Sequence, residues 1–496
     1  MRELAKKQNQ DLLLIDSGDK IDGSGISDIS KIHGQYSTPI FVKQNYDILT
    51  IGNHELYLLE SSIQEFKAVQ EYFPDNYITS NVEFNNNGTF VPFGSKFKYF
   101  ETEIKKTRIL AFGFLFDFKR FNSGTKVTPI KEEIEKQWFK DTLKQYQGKV
   151  DLIVIAGHTP IDHNWPEFYH LHKHLRKYYP NTIIQYFGGH SHIRDFSIFD
   201  KNSTGIQSGR YCETVGWVSI DLNKKDLETK ERFSRSYIDF NLNSFHKHSK
   251  KDIKNFDSEK GIEVTKLVAK TRKDLKLNTQ IGTVHSNYYV DYVPIDHPKN
   301  IFNLITNQVL NDLPGSGERI IIINTGSIRY DLYKGPYTID SQYIVSPFEN
   351  KWVNLTVPKS IATKVAEKLN EASYISTTRL KPPHHYLKKE IVYSDEAKDK
   401  KLSKGYVTHD DFGSNGDDTP HKPVINFDIP NVVQSVQLNN EIESFIDLVF
   451  YDFITPNIKW ALKELNYEIQ EGENPTNYSE IFLGKLLNNY IAEKSP

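Results

Sequence analysis

Along the first half of the chain, short and nearly unbroken apolar runs alternate with stretches whose apolar positions recur at helical spacing. Asp11–Asp16 (DLLLID), Tyr46–Ile51 (YDILTI), Arg108–Gly113 (RILAFG), Val150–Ala156 (VDLIVIA) and Thr182–Phe187 (TIIQYF) have strand length without polar alternation. That pattern belongs to strands covered on both faces, and up to about residue 235 it predicts a layered α/β domain. From Lys247 the chain turns highly charged, and Ile262, Val264, Leu267, Val268 and Leu275 then fall on one face of a connecting helix. A second apolar series starts near residue 285. It predicts a helix around Ile301–Leu310, a strand at Arg319–Asn324 (RIIIIN), a turn at Lys334–Pro336 and strands near Tyr343–Ser346 and Val353–Val357. The polar stretch Ser394–Lys404 predicts an exposed mobile loop. The expected organisation is a domain over 1–240, a charged linker and helix over 241–284, and a second domain over 285–496.

Composition narrows the classes. A chain of 496 residues is long enough for two or three cores. With 62 basic and 64 acidic groups it carries a net charge of −2, which gives no sign of a nucleic-acid or membrane-surface binder. No apolar run approaches the ~18–20 residues of a membrane span. Cys212 is the single cysteine, so an intramolecular disulfide and a cysteine metal site are both excluded, and any metal must sit on His, Asp, Glu or Asn. Glycosylation sequons at Asn87, Asn202, Asn354 and Asn477 are as frequent as chance allows in a chain rich in Asn, Ser and Thr. Met1, the single methionine, opens a basic helical stretch with no signal-peptide core behind it, as expected of a late start or a fragment.

Four apolar runs of the first half end on polar residues of metal-ligand type: Asp16-Ser-Gly-Asp19, Gly52-Asn53-His54-Glu55, Gly157-His158 and Gly189-His190-Ser-His192. Loops at the C-terminal ends of neighbouring strands converge in open α/β sheets, so ligands gather there. One histidine after a strand is ordinarily a hydrogen-bonded loop residue; four such junctions in order form a constellation. This order, GD, GNHE, GH and GHxH, resembles the calcineurin-like metallophosphoesterases and, with the motifs below, the 5′-nucleotidase family. The resemblance implies a four-layer αββα metallophosphoesterase domain followed by a 5′-nucleotidase-type C-terminal domain. It further implies two divalent metal ions, Zn or Mn, with Asp19 bridging both, Asn53, His158 and His190 completing one site and His192 contributing to the other. His54 would stabilise the transition state or protonate the leaving oxygen.

Two departures stand beside the resemblance. Relatives carry a D-x-H motif on a strand ahead of the GD motif, and no such segment precedes Asp19; truncation is expected rather than evolved loss. Some nucleotidases orient the catalytic histidine with an aspartate three residues on, where this chain has Tyr57. In the second half, Asn324-Thr-Gly-Ser-Ile-Arg329, Gly335 and Ser346-Pro-Phe348, then Phe412-Gly-Ser-Asn415-Gly-Asp-Asp418, resemble the nucleotide-binding signature of the same family. By that resemblance Asn324 and Arg329 contact the phosphate, Phe348 and Phe412 sandwich the base, and Asp418 holds the ribose. Asp417 stands where relatives have glycine, and Lys299 is the nearest cation where many carry an arginine ahead of Asn303. His163, His170, His172, His174, His384 and His385 are read as surface or structural.

The function expected from these residues is metal-dependent hydrolysis of nucleoside 5′-monophosphates to nucleoside and phosphate, with domain closure. Two alternatives remain: a phosphodiesterase acting on cyclic nucleotides or nucleotide sugars, and an inactive nucleotide-binding pseudoenzyme, motivated by the absent D-x-H motif. The expected partner is the nucleotide substrate alone, and the compartment suggested by the resemblance is the secretory pathway, the vacuole or the exterior.

Overall fold

The computed structural model describes residues 1–163, 165–223, 227–371, 408–413, 415–419, 427–439, 445–469 and 474–495. These form two compact units. The first holds Met1–Ile21, Ile32–Val268 and the described residues between 408 and 419; the second holds Asp22–Lys31, residues 269–371 and the described residues from 427 onward. These units do not follow the boundaries at 240 and 285. The short segment 22–31 belongs with the second unit, and 408–419 belongs with the first. The expected loop Ser394–Lys404 and His384 and His385 lie outside the described residues.

In the first unit, β1 (Ile15–Asp16) and β2 (Ile48–Leu49) pair in parallel. Then come β3 (Phe97–Glu101), β4 (Arg108–Leu115), β5 (Leu152–His158), β6 (Ile183–Phe187), β7 (Arg194–Asp200) and β8 (Ser203–Ser208). With a last short strand, Thr408–Asp410, they make a seven-stranded mixed sheet in the order Thr408–Asp410, β7, β8, β6, β5, β4, β3. The central strands β4, β5 and β6 run parallel. Their successive side chains point to opposite faces. Leu110, Phe112, Phe114, Ile153 and Ile155 pack on one face against the helices Gln137–Gln145 and Pro166–Tyr178 through Phe139, Leu143, Phe168, Leu171 and Leu175. Ile109, Ala111, Leu152, Val154 and Ala156 pack on the other against Ile48, Phe233 and Tyr237. Apolar residues at both parities are therefore what burial on both faces demands. The run Asp11–Asp16 forms a strand only at its last two residues, because Asp47 and Ile48 direct their N–H groups to the Leu14 carbonyl and end the ladder there.

In the second unit, β9 (Arg319–Asn324), β10 (Trp352–Pro358), β11 (Val432–Gln437), β12 (Phe445–Tyr451) and β13 (Thr476–Ser479) form a five-stranded sheet ordered β11, β9, β12, β10, β13. Ile320 to Ile323 are fully buried, as is Trp352, in a core shared with Ile301, Leu304 and Ile305 of the helix Ile301–Asn307. The strand expected near Tyr343–Ser346 is instead the end of the helix Ile339–Val345, which Thr338 starts by accepting the Ser341 N–H. The turn expected at Lys334–Pro336 opens into the strand Gly335–Thr338, paired with Gln280–Val284. The connecting helix runs over Glu259–Asp274. Among the described residues no helix is long and apolar enough to cross a membrane.

Candidate metal centre

The ligand-bearing loops after β1 and β2 touch each other, and glycine permits it. Gly18 has φ +89°, and a Cβ there would overlap the backbone of Ile51 and Gly52, while a Cβ on Gly52 would overlap Asp19. Asp19, His190 and His192 have φ of 61°, 74° and 62°. Left-handed backbone at a residue with a side chain costs about 1–3 kcal/mol and gathers where side-chain aim matters more than stability. Beneath them the buried Glu55 carboxylate accepts the N–H groups of Gly52 (2.8 Å), Lys20 (2.8 Å) and Asp19 (3.1 Å), tying both loops to one side chain. Burial raises the Glu55 carboxyl against the opposing pull of Lys20. The Lys20 ammonium pairs with Glu65 and lies 3.9 Å from Glu55. Burial would lower it, but those two carboxylates hold it above the ordinary lysine value.

Three of the expected ligands converge. One carboxylate oxygen of Asp19 and one ring nitrogen each of His158 and His190 lie within 4.8 Å of one another. His158 closes β5, and its Nδ1 is 2.9 Å from the Ser17 carbonyl. That contact makes Nδ1 the donor and leaves Nε2, 2.9 Å from Asp19 Oδ2, as the atom turned to a cation. Burial would lower the His158 ring, but Asp19 outweighs it and raises the ring above the usual histidine value. Burial likewise would raise Asp19, yet His158 and His54 hold it well below the usual carboxylate range. The His190 ring stacks on Phe116 at 4.0 Å and meets the edge of Trp165 at 6.2 Å. Asn53 is 2 % exposed, its Nδ2 donates to Tyr57 Oη at 2.9 Å, and its Oδ1 is buried with no hydrogen-bond partner among the described residues. A carboxylate, two imidazoles and an unsatisfied amide oxygen fit a divalent transition ion. His54 donates its backbone N–H to Asp19 Oδ1 at 2.9 Å, with its Nε2 3.8 Å from Oδ2. His192 is not in the cluster; its ring lies 6.0 Å from Tyr211. Glu55, Phe116 and Trp165 were not singled out from the sequence; Glu55 alone carried a signal, as the last residue of GNHE.

In the second unit, Asn324 closes β9, and the chain passes through the turn Thr325–Ser327 to Arg329, whose N–H donates to the Val345 carbonyl at 2.8 Å. The Arg329 guanidinium lies 5.7 Å from the Phe348 ring centre. Asn324 Oδ1 and Ser346 Oγ are buried without hydrogen-bond partners among the described residues. Arg329 and Phe348 therefore lie side by side.

Phe412 and Asp418 are grouped with the first compact unit. Thr408–Asp410 extends the sheet of the first unit along β7. Arg235 holds Asp410 at 2.6 Å, Arg194 holds Asp417 at 2.5 Å, and Tyr237 donates to Asp410 at 3.0 Å. Phe412 packs 4.6 Å from Phe196. The Asp418 side chain is 1 % exposed: Oδ1 accepts the Asp239 N–H at 3.2 Å and Oδ2 meets His248 Nε2 at 3.0 Å. The Asp418 carboxylate is thus enclosed by partners of the first unit. Of the other histidines, His172 is fixed by Tyr186 and Asp200, and His163 by Tyr169 and Asp411.

Known proteins resemble this chain. Residues 1–194 match the calcineurin-like phosphoesterase family, and residues 287–459 match the C-terminal domain family of NAD nucleotidase. The crystal structure of a 5′-nucleotidase from Candida albicans is 62% identical and superposes with a TM-score of 0.91 over 99% of this chain and 91% of that one. A Saccharomyces cerevisiae protein is 40% identical over 99% of this chain and 87% of its own, and a secreted protein of Arthroderma benhamiae is 34% identical over 94% and 80%. A 5′-nucleotidase precursor of Thermus thermophilus, 14% identical with a TM-score of 0.63, shares the fold. Motif order, ligand convergence and kinship agree: the chain belongs to the 5′-nucleotidase family of calcineurin-like phosphoesterases and is a phosphoric ester hydrolase.

Proposed function

We propose that this protein hydrolyses nucleoside 5′-monophosphates to nucleoside and phosphate with two divalent metal ions, zinc or manganese. The observation that carries the reading is the meeting of Asp19, His158 and His190, from three separate places in the chain, within 4.8 Å. Asn53, His158 and His190 would hold one ion, His192 would serve the other, and Asp19 would bridge them. Such ions neutralise phosphoryl oxygens and activate water. His54 stands at the rim of the cluster, 3.8 Å from Asp19, where its ring can meet the charge that develops on the ester or give a proton to the leaving oxygen. Arg329 offers phosphate a charge-assisted pair, with Asn324 as a neutral neighbour. Phe348 offers the base a stacking face worth ~1–3 kcal/mol. Passage through the secretory pathway is inferred from the likeness to the secreted Arthroderma protein.

The test is phosphate release from nucleoside 5′-monophosphates, 2′,3′-cyclic nucleotides and nucleotide sugars, side by side, with manganese, zinc or chelator present. Nucleoside 5′-monophosphates should be preferred, chelation should abolish turnover, and Asp19→Ala should lower it by roughly a thousandfold or more. Turnover that survives chelation, or a preference for another ester, would refute the proposal.

A further inference from the structure

Tyr57 occupies a position three residues beyond His54 and four beyond Asn53, on the short helical turn His54–Leu56 and its end. Its hydroxyl oxygen accepts a hydrogen bond from Asn53 Nδ2 at 2.9 Å. Its ring stands edge-on to the His54 ring at 5.2 Å and to the Phe118 ring at 5.4 Å. A primary amide has two ends of similar shape, and within a buried pocket nothing in the side chain itself decides which end faces a cation. An amide turned the wrong way presents N–H groups, which repel a cation and cannot ligate. In this chain the acceptor at Tyr57 captures the N–H end. The other end, Oδ1, is left buried and without a hydrogen-bond partner among the described residues.

We propose that Tyr57 is a positioning residue: its hydroxyl fixes the Asn53 amide so that Oδ1, and not Nδ2, is presented to a divalent cation. The inference rests on the metal-dependent reading above. It also accounts for the tyrosine where some nucleotidases have an aspartate, because the hydroxyl serves the neighbouring amide. A phenol can serve it without adding a second negative charge beside Asp19.

Metal binding to the full chain tests this, using manganese titrated into chelator-treated protein by calorimetry and, separately, activity against manganese concentration. Tyr57→Phe keeps the ring packing and removes the hydroxyl, including the acceptor for Asn53 Nδ2. Manganese affinity should fall about 10- to 100-fold, the usual effect of losing the group that orients a ligand. The thermal midpoint in chelator should stay that of the wild type, and saturating manganese should restore most of the turnover. Asn53→Ala supplies the control against a general loss of structure: in that background Tyr57→Phe should change manganese affinity less than twofold, since there is no amide left to orient. Additive losses in the double variant would overturn the proposal. So would a Tyr57→Phe defect that persists at full manganese occupancy, or an unchanged affinity. If the wild type itself binds no manganese, the metal-dependent reading fails rather than this step alone.

Discussion

Two segments carry the same family signature in the sequence and end in different surroundings. Asn324 to Phe348 stays with the second unit, and two of its polar atoms, Asn324 Oδ1 and Ser346 Oγ, are buried without hydrogen-bond partners among the described residues, while Arg329 lies beside the ring of Phe348. Thr408–Asp410 joins the sheet of the first unit, and the carboxylates at its end and beyond it are engaged: Asp410 by Arg235 and Tyr237, Asp417 by Arg194, Asp418 by the Asp239 N–H and His248. Motif likeness carries residue types and spacing. Whether a carboxylate meets a ligand or an arginine of its own fold depends on what the fold packs against it, because a buried charge needs a partner and takes the nearest one.

Substitutions can break or sharpen that contrast. Arg329→Ala should have the largest effect on catalysis, lowering kcat/KM for nucleoside 5′-monophosphates about 10- to 100-fold, the value of a hydrogen bond to a charged group. A change under twofold in steady-state kinetics would remove the second unit's phosphate contact. Phe348→Ala should follow at about tenfold, mostly in KM, if its ring stacks on the base. Phe348→Tyr, which keeps a face, should stay near the wild type.

Asp418→Ala and Phe412→Leu should leave KM within about twofold, and differential scanning calorimetry should instead show the thermal transition lowered by about 2–6 °C, as expected for ~1–2 kcal/mol in a domain of this size. A raised KM without a stability loss would return these two residues to substrate binding.

The smallest effect concerns pH. His163, half exposed, is raised above its ordinary value of 6.5 by its hydrogen bond to Asp411, while burial would raise Asp411 but His163 and the Ile198 N–H lower it. A folded-state histidine value above the unfolded one means the native state binds more protons. The pair's contribution is therefore full below about pH 6.5 and lost as pH rises through the folded value. Because the pair is exposed, it is worth little. Hydrogen exchange at the amides of 408–413, corrected for intrinsic rates, should speed up by no more than about fivefold between pH 6 and pH 8. His163→Gln should abolish that extra dependence.

Much of the catalytic half is legible in the residue pattern itself. Runs such as Arg108–Gly113 and Val150–Ala156 are apolar at both parities, as strands buried on both sides must be. Residues at the ends of such runs, Asn53, His158 and His190, are where a sheet of that kind gathers ligands, and two loops and a strand end bring Asp19, His190 and His158 together. Local apolarity misleads at shorter range. Tyr343–Ser346 is apolar enough for a strand, but Thr338 caps a helix in front of it. Leu12 to Leu14 are apolar enough for a strand, but the ladder that would hold them reaches only Ile15 and Asp16.

The chain's residue order alone therefore determined the long central strands of the first unit, the order of the ligand motifs and the kinds of donor present, since these follow from periodicity and from chemistry local to a few residues. Only tertiary structure decided that Thr408–Asp410 extends the sheet of the first unit, that Glu55 ties two loops together, and which end of the Asn53 amide is held by Tyr57. Those outcomes depend on contacts between positions far apart in the chain or on which of two equivalent atoms finds a partner, and no local pattern encodes them.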